Sequence, residues 1–108
     1  YRGTSYLKPE TIALFTGLAY PETENRRGLG FDKPELEPSE DGSRYPSKKC
    51  SPSSFGHAGY TGTFVWVDPE HDCFIVLLSN RVNPSRTHRN LYELGIRGKL
   101  LDYVIQSN

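Results

Sequence analysis

Thr61-Gly62-Thr63-Phe64-Val65-Trp66-Val67-Asp68 runs into Pro69-Glu70-His71-Asp72 and then into Cys73-Phe74-Ile75-Val76-Leu77-Leu78-Ser79. The first segment is rich in β-branched and aromatic residues, which suit a pleated, packed surface. The stretch from Asp68 to Asp72 has turn chemistry: proline presets φ, and aspartate side chains bond nearby backbone. The last segment is a continuous apolar run. Two such runs joined by a short polar turn predict an antiparallel hairpin. Neither run alternates apolar with polar, so both faces of the hairpin are expected to be covered. Phe64, Trp66 and Phe74 read as core rather than as a ligand platform.

Downstream, Asn83-Pro84-Ser85 offers a helix start. Leu91, Leu94, Ile96, Leu100, Leu101, Val104 and Ile105 then recur at roughly helical spacing. Gly95 and Gly98 weaken that helix by about 1 kcal/mol each relative to alanine, so it is expected to depend on packing against the sheet. Upstream, Pro9 suits a first helical position, Glu10 complements the helix dipole, and Gly17 can end the helix. Gly28-Leu29-Gly30-Phe31-Asp32 reads as a short strand. Residues 33–54 are rich in Pro, Ser, Glu, Lys and Asp and read as a long irregular loop, of the kind that forms a lid or stays disordered. The expected architecture is α+β: one antiparallel sheet of about three strands with a helix at each end of the chain.

Composition excludes some function classes. The chain has 108 residues, enough for one domain, with 13 basic and 13 acidic side chains and no net charge. A nucleic-acid binder carries a basic excess; the pairs Arg26-Arg27 and Lys48-Lys49 are too short to supply one and read as solvated surface. No apolar run is long enough to span a bilayer. The two cysteines, Cys50 and Cys73, leave a disulfide open. His57, His71, His88 and the cysteines match no zinc spacing, so neither a metal nor a cofactor is expected. His71 reads as an exposed turn residue.

The stretch with chemistry in it is Phe55-Gly56-His57-Ala58-Gly59-Tyr60-Thr61-Gly62-Thr63. Small residues at Ala58 and Gly59 let a substrate approach the backbone. A strand beside a reactive group can offer N–H donors to an oxyanion. An imidazole at His57 can orient a substrate or assist proton transfer. On its own, a histidine among glycines is more often a strand or turn residue than a catalytic one.

The order of motif, hairpin and terminal helix resembles the last part of class C β-lactamases, DD-peptidases and related esterases. His57-Ala58-Gly59 resembles their His-x-Gly triplet, which replaces Lys-Thr-Gly on a strand lining the active site. Leu77-Leu78-Ser79-Asn80-Arg81-Val82-Asn83-Pro84 resembles the end of the family's last strand, and Tyr6 to Phe15 resembles a helix start upstream. The resemblance implies an incomplete part of the β-lactamase/transpeptidase fold. It puts His57 in the catalytic lysine's place, with Ala58, Gly59 and the Tyr60 N–H lining the substrate and the N–H serving the oxyanion hole. Arg86 and Arg89 open the last helix, in a region that borders the family's site and can meet a substrate carboxylate; their plainer reading is two solvated arginines.

Two family elements are missing. Ser5-Tyr6-Leu7-Lys8 has the letters of Ser-x-x-Lys, but Lys8 precedes a proline, which disfavours the helical geometry that would bring the two side chains together. Tyr45-Pro46-Ser47 has the letters of Tyr-x-Ser but lies inside the polar loop. The chain therefore reads as the C-terminal portion of a serine hydrolase, inactive alone, whose first partner is the N-terminal part of its own domain. The implied substrate is a β-lactam, a peptidoglycan peptide or an ester, and the implied location is a bacterial periplasm. Relatives of this type are sometimes fused to glycoside hydrolases of the β-N-acetylhexosaminidase type. The alternatives are a small non-catalytic binding domain and a self-contained hydrolase using Ser5 or another local serine.

Overall fold

A computed structural model describes residues 1–108. The hairpin expected from the apolar runs is there: β2 (Phe64–Asp68) pairs antiparallel with β3 (Cys73–Leu77), joining Trp66 to Ile75 and Asp68 to Cys73. The third strand is β1 (Phe55–Ala58), which carries the His57 motif and pairs antiparallel with β2 to give the sheet order β1-β2-β3. Gly28–Asp32, expected as a strand, is not one. It makes only two isolated bridges, Arg27 to Asp32 and Asp32 to Gly56. Its positive-φ Gly30 turns the chain before a ladder can extend. Helices precede and follow the sheet: α1 (Pro9–Thr16), α2 (Asn90–Glu93) and α3 (Ile96–Ser107). The single C-terminal helix of the periodicity is split at Gly95, which is left-handed at φ 59°. Gly98 stays helical, and its missing Cβ lets the Pro46 carbonyl come close.

One face of the sheet carries the core. Phe64, Trp66 and Asp68 alternate inward along β2 and are all buried. Phe64 and Trp66 stack with ring centroids 5.8 Å apart, and Tyr45 meets Trp66 edge-on at 5.7 Å. Cys50, Ile75 and the fully buried Leu101 of α3 complete the cluster. Burying Trp66 and Leu101 is worth about 2–3 kcal/mol each by area.

The other face is open, against the expectation that both would be covered. Phe74 is 72% and Val76 55% exposed. Their cross-strand partners Val67 and Val65 are only half-buried. Phe74, expected in the core, therefore lies outside it. Helix α1 has no buried residue; its Ile12 and Phe15 line an apolar groove of about 430 Å³ with Phe31 and Phe55.

Residues 33–54 have no helix or strand, yet they are built into the interior. Lys33, Ser47, Cys50, Ser51 and Ser54 are buried. The segment is tied to elements distant in sequence: Ser47 donates to Asp102 of α3, and Ser51 donates to Asp68 through N–H at 2.8 Å and Oγ at 2.6 Å. Arg26 and Arg27, expected to be free surface, pair with Asp32 at 3.6 and 3.3 Å. Both cysteines are free thiols. Burial, with the charges of Asp68 and Asp102, pushes the Cys50 thiol up to about 12.

Candidate functional site

The glycines of the motif are dictated by packing. A Cβ on Gly56 would sit 2.3 Å from the Trp66 ring, and one on Gly59 would sit 2.2 Å from Thr63 Oγ1. Between them, His57 pairs with Val65. Directly opposed residues of an antiparallel pair share a face, so the exposed His57 side chain belongs to the open face, beside Val65 and Val76. Ala58 pairs with Phe64 and belongs to the core side.

The edge of β1 is partly free. Asp32 exchanges both backbone bonds with Gly56 there, at 2.7 and 3.0 Å. Outward-facing backbone groups recur at every second residue in an antiparallel ladder, so those of Ala58 follow on the same edge, and Tyr60 stands just beyond the strand, in the turn. The Tyr60 N–H donates to no group of the chain.

The turn after β1 is held by two guanidinium groups from later in the sequence. Arg97 Nη2 donates to the Gly59 carbonyl at 2.8 Å and to Thr63 at 3.0 Å. Arg81 Nε donates to the Tyr60 carbonyl at 2.7 Å and to Tyr92 Oη at 2.8 Å, while its Nη1 reaches the carbonyls of Arg86 and His88 at 3.0 and 2.9 Å. Desolvation acts to lower the Arg81 pKa, but its bonds to Tyr60 and Tyr92 outweigh that and hold it above the ordinary value. Arg81 thus ties the motif turn to the segment before α2. Tyr60, Arg81, Arg86, Thr87, Arg89 and Tyr92 enclose a depression of about 410 Å³.

Tyr60, Arg86 and Arg89 are therefore brought together at one depression, whereas His57, Ala58 and Gly59 lie outside its lining. Arg86 and Arg89 precede α2 rather than opening the long helix α3. Arg89 is exposed and pairs with Glu93 at 3.5 Å. Arg81, Tyr92 and Arg97 carry the local geometry without having been singled out from the sequence. Their partners in the motif turn are backbone carbonyls 21 to 38 residues away, and no side-chain pattern announces those.

The two decoys are turned to other work. Lys8 is extended (φ −74°, ψ 144°) with Pro9 following, and Ser5 Oγ donates to the Leu7 carbonyl rather than to Lys8. Tyr45 and Ser47 point into the core and to Asp102. A serine, an aspartate and a histidine do meet at Ser51, Asp68 and His71, but Asp68 stands in the middle, with His71 Nδ1 at 2.9 Å. A nucleophile needs the base as its neighbour, so this cluster is a fastening and not a triad. No group of histidine, cysteine and carboxylate side chains is arranged to hold a metal. No helix is long and apolar enough to cross a membrane.

A family model described as beta-lactamase matches residues 4–97. That span covers most of the chain, from before α1 into the start of α3, and the chain belongs to the β-lactamase family. Neither the curated proteins nor the solved structures gave a match.

Proposed function

We propose that this member of the β-lactamase family forms one wall of an acyl-transfer site whose serine nucleophile lies outside residues 1–108. The observation that carries the reading is the free Tyr60 N–H in the turn that follows β1 and the His57-Ala58-Gly59 triplet. In this reading the serine oxygen attacks the carbonyl of an amide or ester. The negative charge that forms on the carbonyl oxygen is met by the Tyr60 N–H and by the N–H of the nucleophile. Collapse expels the amine or alcohol, which takes up the proton given up by the serine, and leaves an acyl-enzyme, which water then hydrolyses to the free acid and the free serine. His57 orients the substrate or assists the proton transfer to the leaving group. Arg86 and Arg89, at the depression beside Tyr60, meet a substrate carboxylate.

The open sheet face supports the same reading. His57 stands on it among half-buried and exposed valines and Phe74, so whatever covers those apolar side chains also reaches His57. The N-terminal part of the same domain is the partner proposed here. The substrate is a β-lactam, a peptidoglycan peptide or a simple ester, and the family favours export to a bacterial periplasm.

The test is intact mass after treatment with a fluorophosphonate and, separately, with penicillin. The chain 1–108 is expected to stay unmodified. The product of the complete reading frame is expected to gain one adduct from the fluorophosphonate, on a serine outside these residues. A stoichiometric adduct on a serine within 1–108 would overturn the reading and make the chain a self-contained hydrolase.

A further inference from the structure

The peptide between Gly59 and Tyr60 is held from one side only. Its carbonyl accepts from Arg97 Nη2 at 2.8 Å and from the Gly62 N–H at 3.1 Å, while its own N–H is free. A trans peptide is planar, with C=O and N–H pointing opposite ways. Whatever fixes the carbonyl therefore fixes the direction of the N–H.

Arg97 is built for that grip. It sits in the first turn of α3 and is 9% exposed. The same Nη2 bonds Gly59 and Thr63, the residues that close the β1–β2 turn through Gly59 N–H to Thr63 at 2.8 Å. The guanidinium also lies against the rings of Tyr92 and Phe64, 5.3 and 5.7 Å from their centroids. Fastening α3 does not require such an arrangement, because Leu101 and the Ser47–Asp102 bond already seat the helix. Burying a cation is costly unless its bonds compensate, and here those bonds go to the last carbonyls of the motif.

We propose that Arg97 is a positioning residue for the Tyr60 N–H. By gripping the Gly59 and Thr63 carbonyls it keeps the Gly59–Tyr60 peptide turned with its N–H pointing away from Arg97, just past the end of β1. A cation on the carbonyl also polarises the peptide and strengthens that N–H as a donor. The inference rests on the reading of Tyr60 as an oxyanion donor.

The test uses the product of the complete reading frame, labelled with ¹⁵N-tyrosine, as wild type, Arg97→Lys and Arg97→Met. Lysine keeps the charge but loses the planar fork. Both variants are expected to shift the Tyr60 amide resonance while the amides of tyrosines away from Arg97, such as Tyr6, Tyr20 and Tyr103, stay in place. Phosphonylation of the serine by the fluorophosphonate, which expels fluoride, is expected to slow about tenfold or more at unchanged reagent affinity, the scale of effect that slight misplacement of such a group produces. Lysine should recover part of what methionine loses. A lowered melting temperature with an unmoved Tyr60 amide and an unchanged phosphonylation rate overturns the proposal and leaves Arg97 a fastener. A shifted amide with unchanged phosphonylation keeps the grip but overturns Tyr60 as the donor. If neither variant folds, the wild-type protein decides: a scalar coupling across the hydrogen bond from Arg97 Nη2 to the Gly59 carbonyl carbon is expected, and its absence overturns the proposal.

Discussion

Strand β2 ends in two turns that are fastened by opposite charges. At Phe64 the neighbouring turn is gripped by Arg81 and Arg97, which take the carbonyls of Gly59, Tyr60 and Thr63. At Asp68 a fully buried carboxylate gathers the N–H and hydroxyl of Ser51 and the imidazole of His71. The carboxylate end is closed: its groups bond one another, and Ser53 extends the network to Glu70. At the guanidinium end the cations occupy carbonyls and leave the Tyr60 N–H over. A turn held through its carbonyls can offer donors, whereas a turn held through its donors has little to offer an incoming carbonyl. That difference separates a candidate site from a structural latch within one strand of five residues.

Trp66 lies between the two ends, and its loss should break both. Trp66→Ala is expected to cost about 3–5 kcal/mol and to abolish the cooperative melting transition. Asp68→Ala should break the latch alone. Denaturant titration should show a loss of about 2–3 kcal/mol, because it strands the buried donors of Ser51, and acylation by folded protein should be unchanged. Burial raises the Asp68 pKa, but the hydrogen bonds from Ser51 and then His71 outweigh it and leave the carboxyl below its ordinary value. Its contribution is thus complete above the unfolded-state pKa and is lost as pH falls through the native one. The urea midpoint of the wild type should drop below about pH 4, and Asp68→Asn should flatten that drop. At the other end, Gly59→Ala should cost about 1–3 kcal/mol by overpacking against Thr63, and adding Thr63→Ala should recover most of it. The smallest effect is expected at Arg89, whose pair with Glu93 is exposed. Arg89→Gln should change stability by less than about 0.5 kcal/mol while raising KM for a carboxylate-bearing substrate and not for a neutral one. An equal change in KM for both, or no change for either, would remove Arg89 from the site.

The local signals were legible in the sequence. The β2–β3 hairpin, the α1 start at Pro9 and the extended backbone at Lys8 all follow from residue type and proline geometry. What stayed hidden depends on partners far along the chain. Polar residues of the 33–54 segment are buried because Asp68 and Asp102 receive them, while the apolar Phe74 and Val76 are exposed because nothing in these residues covers them. Composition ranks a residue's preference for the interior but not which neighbour arrives. For the same reason His57 could be picked out as a candidate, while Arg81 and Arg97 could not: their targets are carbonyls, which every residue has. The strand expected at Gly28–Asp32 failed because its glycines admit a turn as readily as a strand.

Cys50 has a practical consequence. Its thiol is 5% exposed and pushed up to about 12 by burial and by the carboxylates nearby. At neutral pH it is therefore silent toward alkylating reagents while the core is shut, since only the thiolate reacts. Each modification of Cys50 records an opening of the interior. The chain thus carries its own stopwatch for breathing motions, one that ticks at the junction of the 33–54 segment with the sheet and α3.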